Sequence, residues 1–445
     1  MPGCRPGFFR IFKYLRLFLN NVFINSPLMK RNYYLVFLVF LTFFVISIIT
    51  NILGAINPPV AESYKLNDFM RGFLPMALFL AYGIMSIPGG MLVEVYKEKK
   101  TMIGAFLLVL AGVVMFVLIP GFSVFLGTLF IIGAGFAMLQ VVINPLLRVS
   151  GGEEHFAFYS AMAQLVFGGA SYIGPHIYKY FVLNLDSVSG DSDYIIRVMS
   201  RLIPPEMSWV SMYWFFSVIT LLMIILLIIS RFPKVERTEE EKIGAWSVIL
   251  QLFKKRVVIL FFIGIFCYVG TEQGVSYWIS TFLERYHGFD PNTVGANAVA
   301  WFWGMMMVGC AIGLVLLKLI DSRKILIGSV SLSVICLIAA LFGPGNTARL
   351  AFPAIGFFIS VLYPILISLA LNSLDEHHGS FAGILCTGIA GGAIVPWIIG
   401  GLSELFELRF AMLFLLITFG YIFSVGIWAK PIILNKTIRL GKKKN

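Results

Sequence analysis

The chain predicts an all-α membrane protein, with twelve transmembrane helices in two six-helix, pseudo-symmetric halves. Three observations lead there. Of 445 residues, 59% are hydrophobic and 13% charged, with a mean hydropathy of +0.90; an average soluble domain carries roughly 25% charge. Apolar runs of spanning length recur along the whole sequence, and a bilayer crossing needs roughly 20 such residues. The most charged stretch, 231–256, falls midway and divides the runs into two sets of six.

Residues 1–32 place Arg5, Arg10, Lys13 and Arg16 among Phe8, Phe9, Phe12 and Leu15. That is a basic amphipathic segment suited to a membrane surface, and no cleavable signal peptide is expected. Spans follow at 33–56, 71–93, 101–119, 122–147, 156–183 and 208–230, forming an N-terminal half over 33–230. A water-exposed cytoplasmic linker with Glu239, Glu240, Glu241, Lys254 and Lys255 occupies 231–256. The C-terminal half, 257–430, holds spans at 257–283, 296–320, 324–343, 347–372, 380–405 and 409–430, and a basic cytoplasmic tail, 431–445, closes the chain.

The charge distribution sets the expected orientation. The formal net charge is +12, which in a soluble protein would suggest nucleic acid. Here the cations sit in short loops, and about 26 of the 34 Lys and Arg fall on the side that holds both termini. Both termini are therefore expected in the cytoplasm of a multi-pass inner-membrane protein, with 184–207 outside. The partners expected are the lipid bilayer and a small solute, and not nucleic acid.

Several chemistries find no support. Four of the five cysteines lie inside apolar runs and none forms a CxxC pair, so no metal or disulfide framework is expected. No GxxxxGK[ST] loop is present, so ATP drive from this chain is unsupported and no cofactor is expected. Paired carboxylates and His clusters at a common depth are missing from the spans, which argues against an enzyme.

The polar residues that remain in the spans are the candidate site, because such groups are costly in hydrocarbon and usually face the bundle interior. Glu272 lies mid-span in the seventh run beside Gln273 and is the candidate proton carrier or hydroxyl acceptor. Gln140 and Asn144 are four apart and share a helical face. With Gln164 they offer amides, which donate and accept at once and suit neutral polyols. Asn51 in the first span, Tyr363 in the tenth and Trp397 in the eleventh complete the candidate set, the aromatics as stacking faces for a sugar ring.

Two kinds of motif carry a family resemblance. Gly89-Gly90 followed by Glu94, Lys97, Lys99 and Lys100 is echoed by Gly309 and Gly313 followed by Lys318, Asp321, Arg323 and Lys324. This pair of charged turns is similar to the loop signature of the major facilitator superfamily. Leu139-Gln140-Val141-Val142-Ile143-Asn144-Pro145, Ala163-Gln164 with Gly174-Pro175, Tyr268-Val269-Gly270-Thr271-Glu272, and Gly391-Gly392-Ala393-Ile394-Val395-Pro396 resemble segments of its fucose–galactose–glucose:proton symporter branch. The resemblance implies alternating access between two halves, a hexose-like substrate, proton symport and a monomer. Where that branch carries an acid in the first span, this chain reads Asn51-Ile52. An uncoupled facilitator therefore stays open, as does a transporter-like protein with another substrate or a sensing role.

Overall fold

A computed structural model describes residues 32–151, 156–185, 193–204, 206–232, 246–374 and 378–431. The N-terminal amphipathic segment, nearly all of the basic tail and much of the central linker lie outside the described residues. Among those described, regular structure is entirely helical.

Among the described residues, ten stretches are long and apolar enough to cross a membrane. They begin with α1 (Tyr33–Tyr64), α2 (Asp68–Val93), α3 (Val95–Leu118) and α4 (Phe122–Gly151). The 30-residue helix α5 (Phe156–Leu185) lies before α6 (Ser208–Ile229). The second set is α7 (Arg256–His287), α8 (Pro291–Leu319), α9 (Ser322–Phe342) and α10 (Gly345–Leu371). The last apolar stretch, Ser380–Trp428, is 49 residues long. It breaks at Glu407 (φ +61°), so that α11 (Gly391–Ala411) leads into α12 (Leu415–Trp428). Counting α5 and both passes of the last stretch accommodates the twelve expected crossings.

Local chemistry explains the helix ends. Asn32, Asn67 and Asp321 accept backbone N–H bonds from Leu35 (3.2 Å), Met70 (2.9 Å) and Arg323 (2.9 Å), capping α1, the first turn of α2 and α9. Gly288 ends α7 in the left-handed conformation (φ +65°), which costs glycine little. The expected first span stopped at residue 56, ahead of Pro58-Pro59, yet α1 runs on to Tyr64. Its helical ladder is interrupted instead at Asn51–Ile52, between the segments Tyr33–Thr50 and Leu53–Tyr64.

The two charged turns do the same job six helices apart. Lys97 (φ +67°) breaks the helical geometry in the first turn of α3, where the chain passes from α2. Lys99 then donates from Nζ to the carbonyls of Ile228 (2.9 Å) and Ser230 (2.8 Å) at the end of α6. In the second set Arg323 donates to the carbonyl of Ala429, just beyond α12, at 3.4 Å. A cation at a helix C-terminus answers carbonyls that lack intrahelical partners.

Apolar residues cover the outside. Leu222 and Ile225 on α6, Ile335 on α9, and Ile417 and Ile427 on α12 are all exposed, a surface suited to lipid rather than water. Lipid gives helices no hydrophobic drive to associate, so contact depends on close packing. Gly54 of α1 shows this: a Cβ there would collide with the Ser276 carbonyl of α7. The N-terminal and C-terminal sets touch backbone to backbone at that point.

Candidate functional site

The break in α1 places Asn51 in the middle of the bundle. Its backbone N–H bonds to the Ser47 carbonyl at 3.0 Å, while its side chain is buried, with 4% exposure. Asn51 Nδ2 donates to Ser171 Oγ of α5 at 2.7 Å, and Ser171 Oγ lies 2.6 Å from Ser47 Oγ. Both serines reach the Phe167 carbonyl. A proline or aliphatic residue in this stretch would leave the interrupted helix without these partners.

From the opposite set, α7 brings Glu272 and Gln273 to the same point. Gln273 Nε2 donates to Asn51 Oδ1 at 3.4 Å and to Glu272 Oε1 at 3.2 Å. Tyr268, one turn away, donates from its hydroxyl to Glu272 Oε2 at 2.6 Å. The Tyr363 ring of α10 lies 5.6 Å from that of Tyr268. Asn51, Glu272 and Tyr363, three of the residues singled out by sequence, thus belong to one contiguous group. Gln273, Tyr268, Ser171 and Ser47 join it. Gln273 was visible as the neighbour of Glu272, but the two serines gave no signal that distinguished them from other small residues.

The amides stand differently. Gln164 is exposed, and lies seven residues from Ser171 on one face of α5, with Gly168 between them packing on Met307 of α8. That face looks toward the second set of helices, and Gln164 sits about 10 Å from Ser171 along the axis, toward the end of the bundle that holds Tyr33. This is the near end; the other is the far end. Gln140 is half-buried and Asn144 exposed, both toward the near end of α4. None of the three is hydrogen-bonded among the described residues.

Trp397 is set apart from the central group. It packs on Phe69 and Phe73 of α2, at ring distances of 5.5 and 6.1 Å, and its backbone faces Gly72. It lies in the seam between α2 and α11, toward the far end. The same Trp would line a cavity only if that seam parted.

The seam holds a second polar group, which sequence reading missed. Asp68 of α2 accepts from Arg285 of α7 at 2.6 and 2.8 Å and from Ser403 of α11 at 2.7 Å. Arg71 donates to Asp68 at 3.1 Å, to Asn57 Oδ1 at 2.9 Å and to Thr281 of α7, and its guanidinium lies 5.3 Å from the Trp278 ring centroid. Asn57 donates to the Tyr277 carbonyl at 3.0 Å, and the Tyr277 hydroxyl to the Arg71 carbonyl at 2.6 Å. Glu404 accepts the backbone N–H groups of Asp68 (2.7 Å) and Phe69 (3.3 Å). Asp68 and Arg71 are both 6% exposed, so these two charges are buried in the seam and bridge the helix sets at the far end. The expected spans cut Asn57, Asp68 and Arg285 into loops. The available signal was opposite charge on the second and seventh runs at the same end.

The arrangement sets amides, hydroxyls and one carboxylate between two helix sets, with the Asp68–Arg285 ion pair joining those sets at the far end. A glucose/galactose transporter of Brucella abortus is 29% identical over 384 residues, spanning 83% of this chain and 88% of that protein. The L-fucose-proton symporter of Escherichia coli is 25% identical over 380 residues, 80% and 84% of the two chains. The crystal structure of the E. coli fucose:proton symporter overlays with a TM-score of 0.64 at 23% identity, covering 89% of this chain and 98% of that one. The family model of the Major Facilitator Superfamily matches residues 38–396, most of the chain. The protein is therefore a membrane-spanning transporter, not an enzyme, and it belongs to the Major Facilitator Superfamily.

Proposed function

We propose that this transporter moves a neutral, hexose-like sugar across the inner membrane by alternating access, coupled to a proton carried on Glu272. The observation that carries this reading is the group Asn51–Gln273–Glu272–Tyr268, which lies between the two helix sets and holds one carboxylate among amides and hydroxyls. Such a lining donates and accepts hydrogen bonds without selecting an ion. Relatives named for glucose, galactose and fucose support the substrate class, and the name of the fucose-proton symporter supports the coupling.

Gln140, Asn144 and Gln164 extend the polar path toward the near end, and Tyr363 offers a ring face. The Lys and Arg bias supports a cytoplasmic near end, with both termini there and the bridged seam facing outward, and on that reading the chain is closed on its outer side. We read domains at 33–230 and 257–430 as the two moving bodies, joined by the 231–256 linker and acting as a monomer in the bilayer.

The direct test is uptake of a radiolabelled sugar panel into proteoliposomes with and without an imposed pH gradient. Accumulation against the sugar gradient supports symport. Equilibration alone supports the uncoupled facilitator, a reading favoured by Asn51-Ile52 standing where the related branch has an acid. Absence of uptake for every sugar favours a transporter-like protein with another substrate or a sensing role.

A further inference from the structure

Gln273 occupies an unusual position. Its aliphatic stem is wedged between Phe79 of α2 and Gly392 of α11: a Cβ on Gly392 would stand 3.0 Å from the Phe79 ring and 3.1 Å from Gln273 Cγ. Gly392 leaves room beside this side chain, and Gly391 lets α11 approach the Phe266 backbone of α7; the Gln273 amide then bonds at once to its own helix set and to the other.

The direction of these bonds is set by what lies at each end. The Phe167 carbonyl can only accept, so the Ser47 and Ser171 hydroxyls point toward it and Ser171 Oγ is left to accept from Asn51 Nδ2. Asn51 then turns its oxygen to Gln273, which must present its NH₂ group. With that orientation Gln273 also presents N–H to Glu272 Oε1, where only an accepting oxygen fits. At Oε2, the Tyr268 hydroxyl donates as well. The chain of donors is thus matched to the ionised carboxylate.

Protonation at Oε1, the oxygen that faces Gln273, breaks the match. A hydrogen on Oε1 faces the Gln273 N–H, and relief requires the amide to turn its oxygen toward the new O–H. Its NH₂ then leaves Asn51, which is held by Ser171 and cannot follow. We propose that Gln273 is a positioning residue that reports the protonation of Glu272 to the opposite helix set, so that the ionised carboxylate holds the central seam shut and proton uptake releases it. The proposal rests on the proton-coupled reading given above. By linkage, closing the seam expels the proton toward the near end. The titratable side chains that act on Glu272 are the phenols Tyr268 and Tyr363; Cys310 lies beyond Tyr268, and Cys386 and Tyr82 lie beyond Tyr363. Among the described residues no cation or second acid acts on it.

The test uses the full chain with its five native cysteines replaced by alanine. Spin labels go on Lys65→Cys and Leu405→Cys, exposed positions near the far end in opposite sets. Distances are measured by pulsed electron resonance in lipid nanodiscs at mildly acidic and mildly alkaline pH. The unsubstituted protein should shift toward longer distances in acid. Gln273→Leu and Asn51→Leu, which cut the bridge from either side, should each bring the acid-to-alkaline population ratio to about one. A full shift in both variants overturns the proposal, as does the lack of any shift in the unsubstituted protein. Glu272→Gln separates the two readings. If it abolishes the shift while Gln273→Leu keeps it, only the relay fails; if it keeps the shift, proton coupling at Glu272 fails as well.

Discussion

Asp68 and Arg285 meet at 2.6 Å across the seam between α2 and α7, and the carboxylate also holds Arg71 and Ser403. Arg285 stays 39% exposed at its side chain while Asp68 is 7% exposed, so solvent weakens the pair relative to a buried one. Its partners sit on helices from opposite sets, so the pair bridges the two sets at the far end.

Asp68→Asn should therefore favour opening at the far end. A loss of about 1–2 kcal/mol, discounted for the exposed guanidinium, corresponds to roughly a tenfold shift in the open-to-closed ratio. Labelling of a cysteine at Leu405 by a membrane-impermeant maleimide should speed up accordingly. Unchanged labelling would show that the seam is held by packing alone.

Replacing the carboxylate separates coupling from movement. Glu272→Gln keeps the shape and the hydrogen-bonding capacity but cannot carry a proton. It should abolish pH-driven accumulation in proteoliposomes and leave sugar counterflow measurable. Accumulation equal to the unsubstituted protein would exclude Glu272 as the coupling group.

Tyr268→Phe removes one donor to that carboxylate while keeping the ring near Tyr363. A hydrogen bond to a charged group contributes about 1.5–3 kcal/mol, so proton-dependent uptake should fall by about tenfold or more. Counterflow should fall less. Equal loss of both would point to a packing role.

Gly54→Val should stop the two sets from closing, because the added side chain meets the Ser276 carbonyl. Transport should be lost at normal membrane abundance, with far-end labelling fast. Gly104→Val is the control, since nothing lies within 4 Å of a Cβ at that position.

Alanine at Gln140 or Gln164 should raise KM for the sugar by several-fold, with abundance unchanged; each lost hydrogen bond is worth about 1 kcal/mol. A parallel loss of abundance would assign these amides to helix association.

Much of the molecule was legible along the sequence. Apolar runs marked the crossings because a bilayer demands length and internally bonded backbone, and most helix ends fell within a few residues of expectation, the larger departures being at Pro58-Pro59, at the start of α3 and around the Glu407 break. The two charged turns were recognisable as echoes, and Lys99 and Arg323 cap corresponding helices. Glu272 stood out because a carboxylate in an apolar run is costly. What tertiary structure decided was partnership. Nothing in the order of residues says that Gln273 reaches Asn51, 222 positions away, that Ser47 and Ser171 orient that bond, or that Asp68 closes on Arg285. Such contacts depend on how helices from opposite sets meet, and the small residues that allow it, Gly54 and Gly392, look in sequence like any other glycine in a membrane helix.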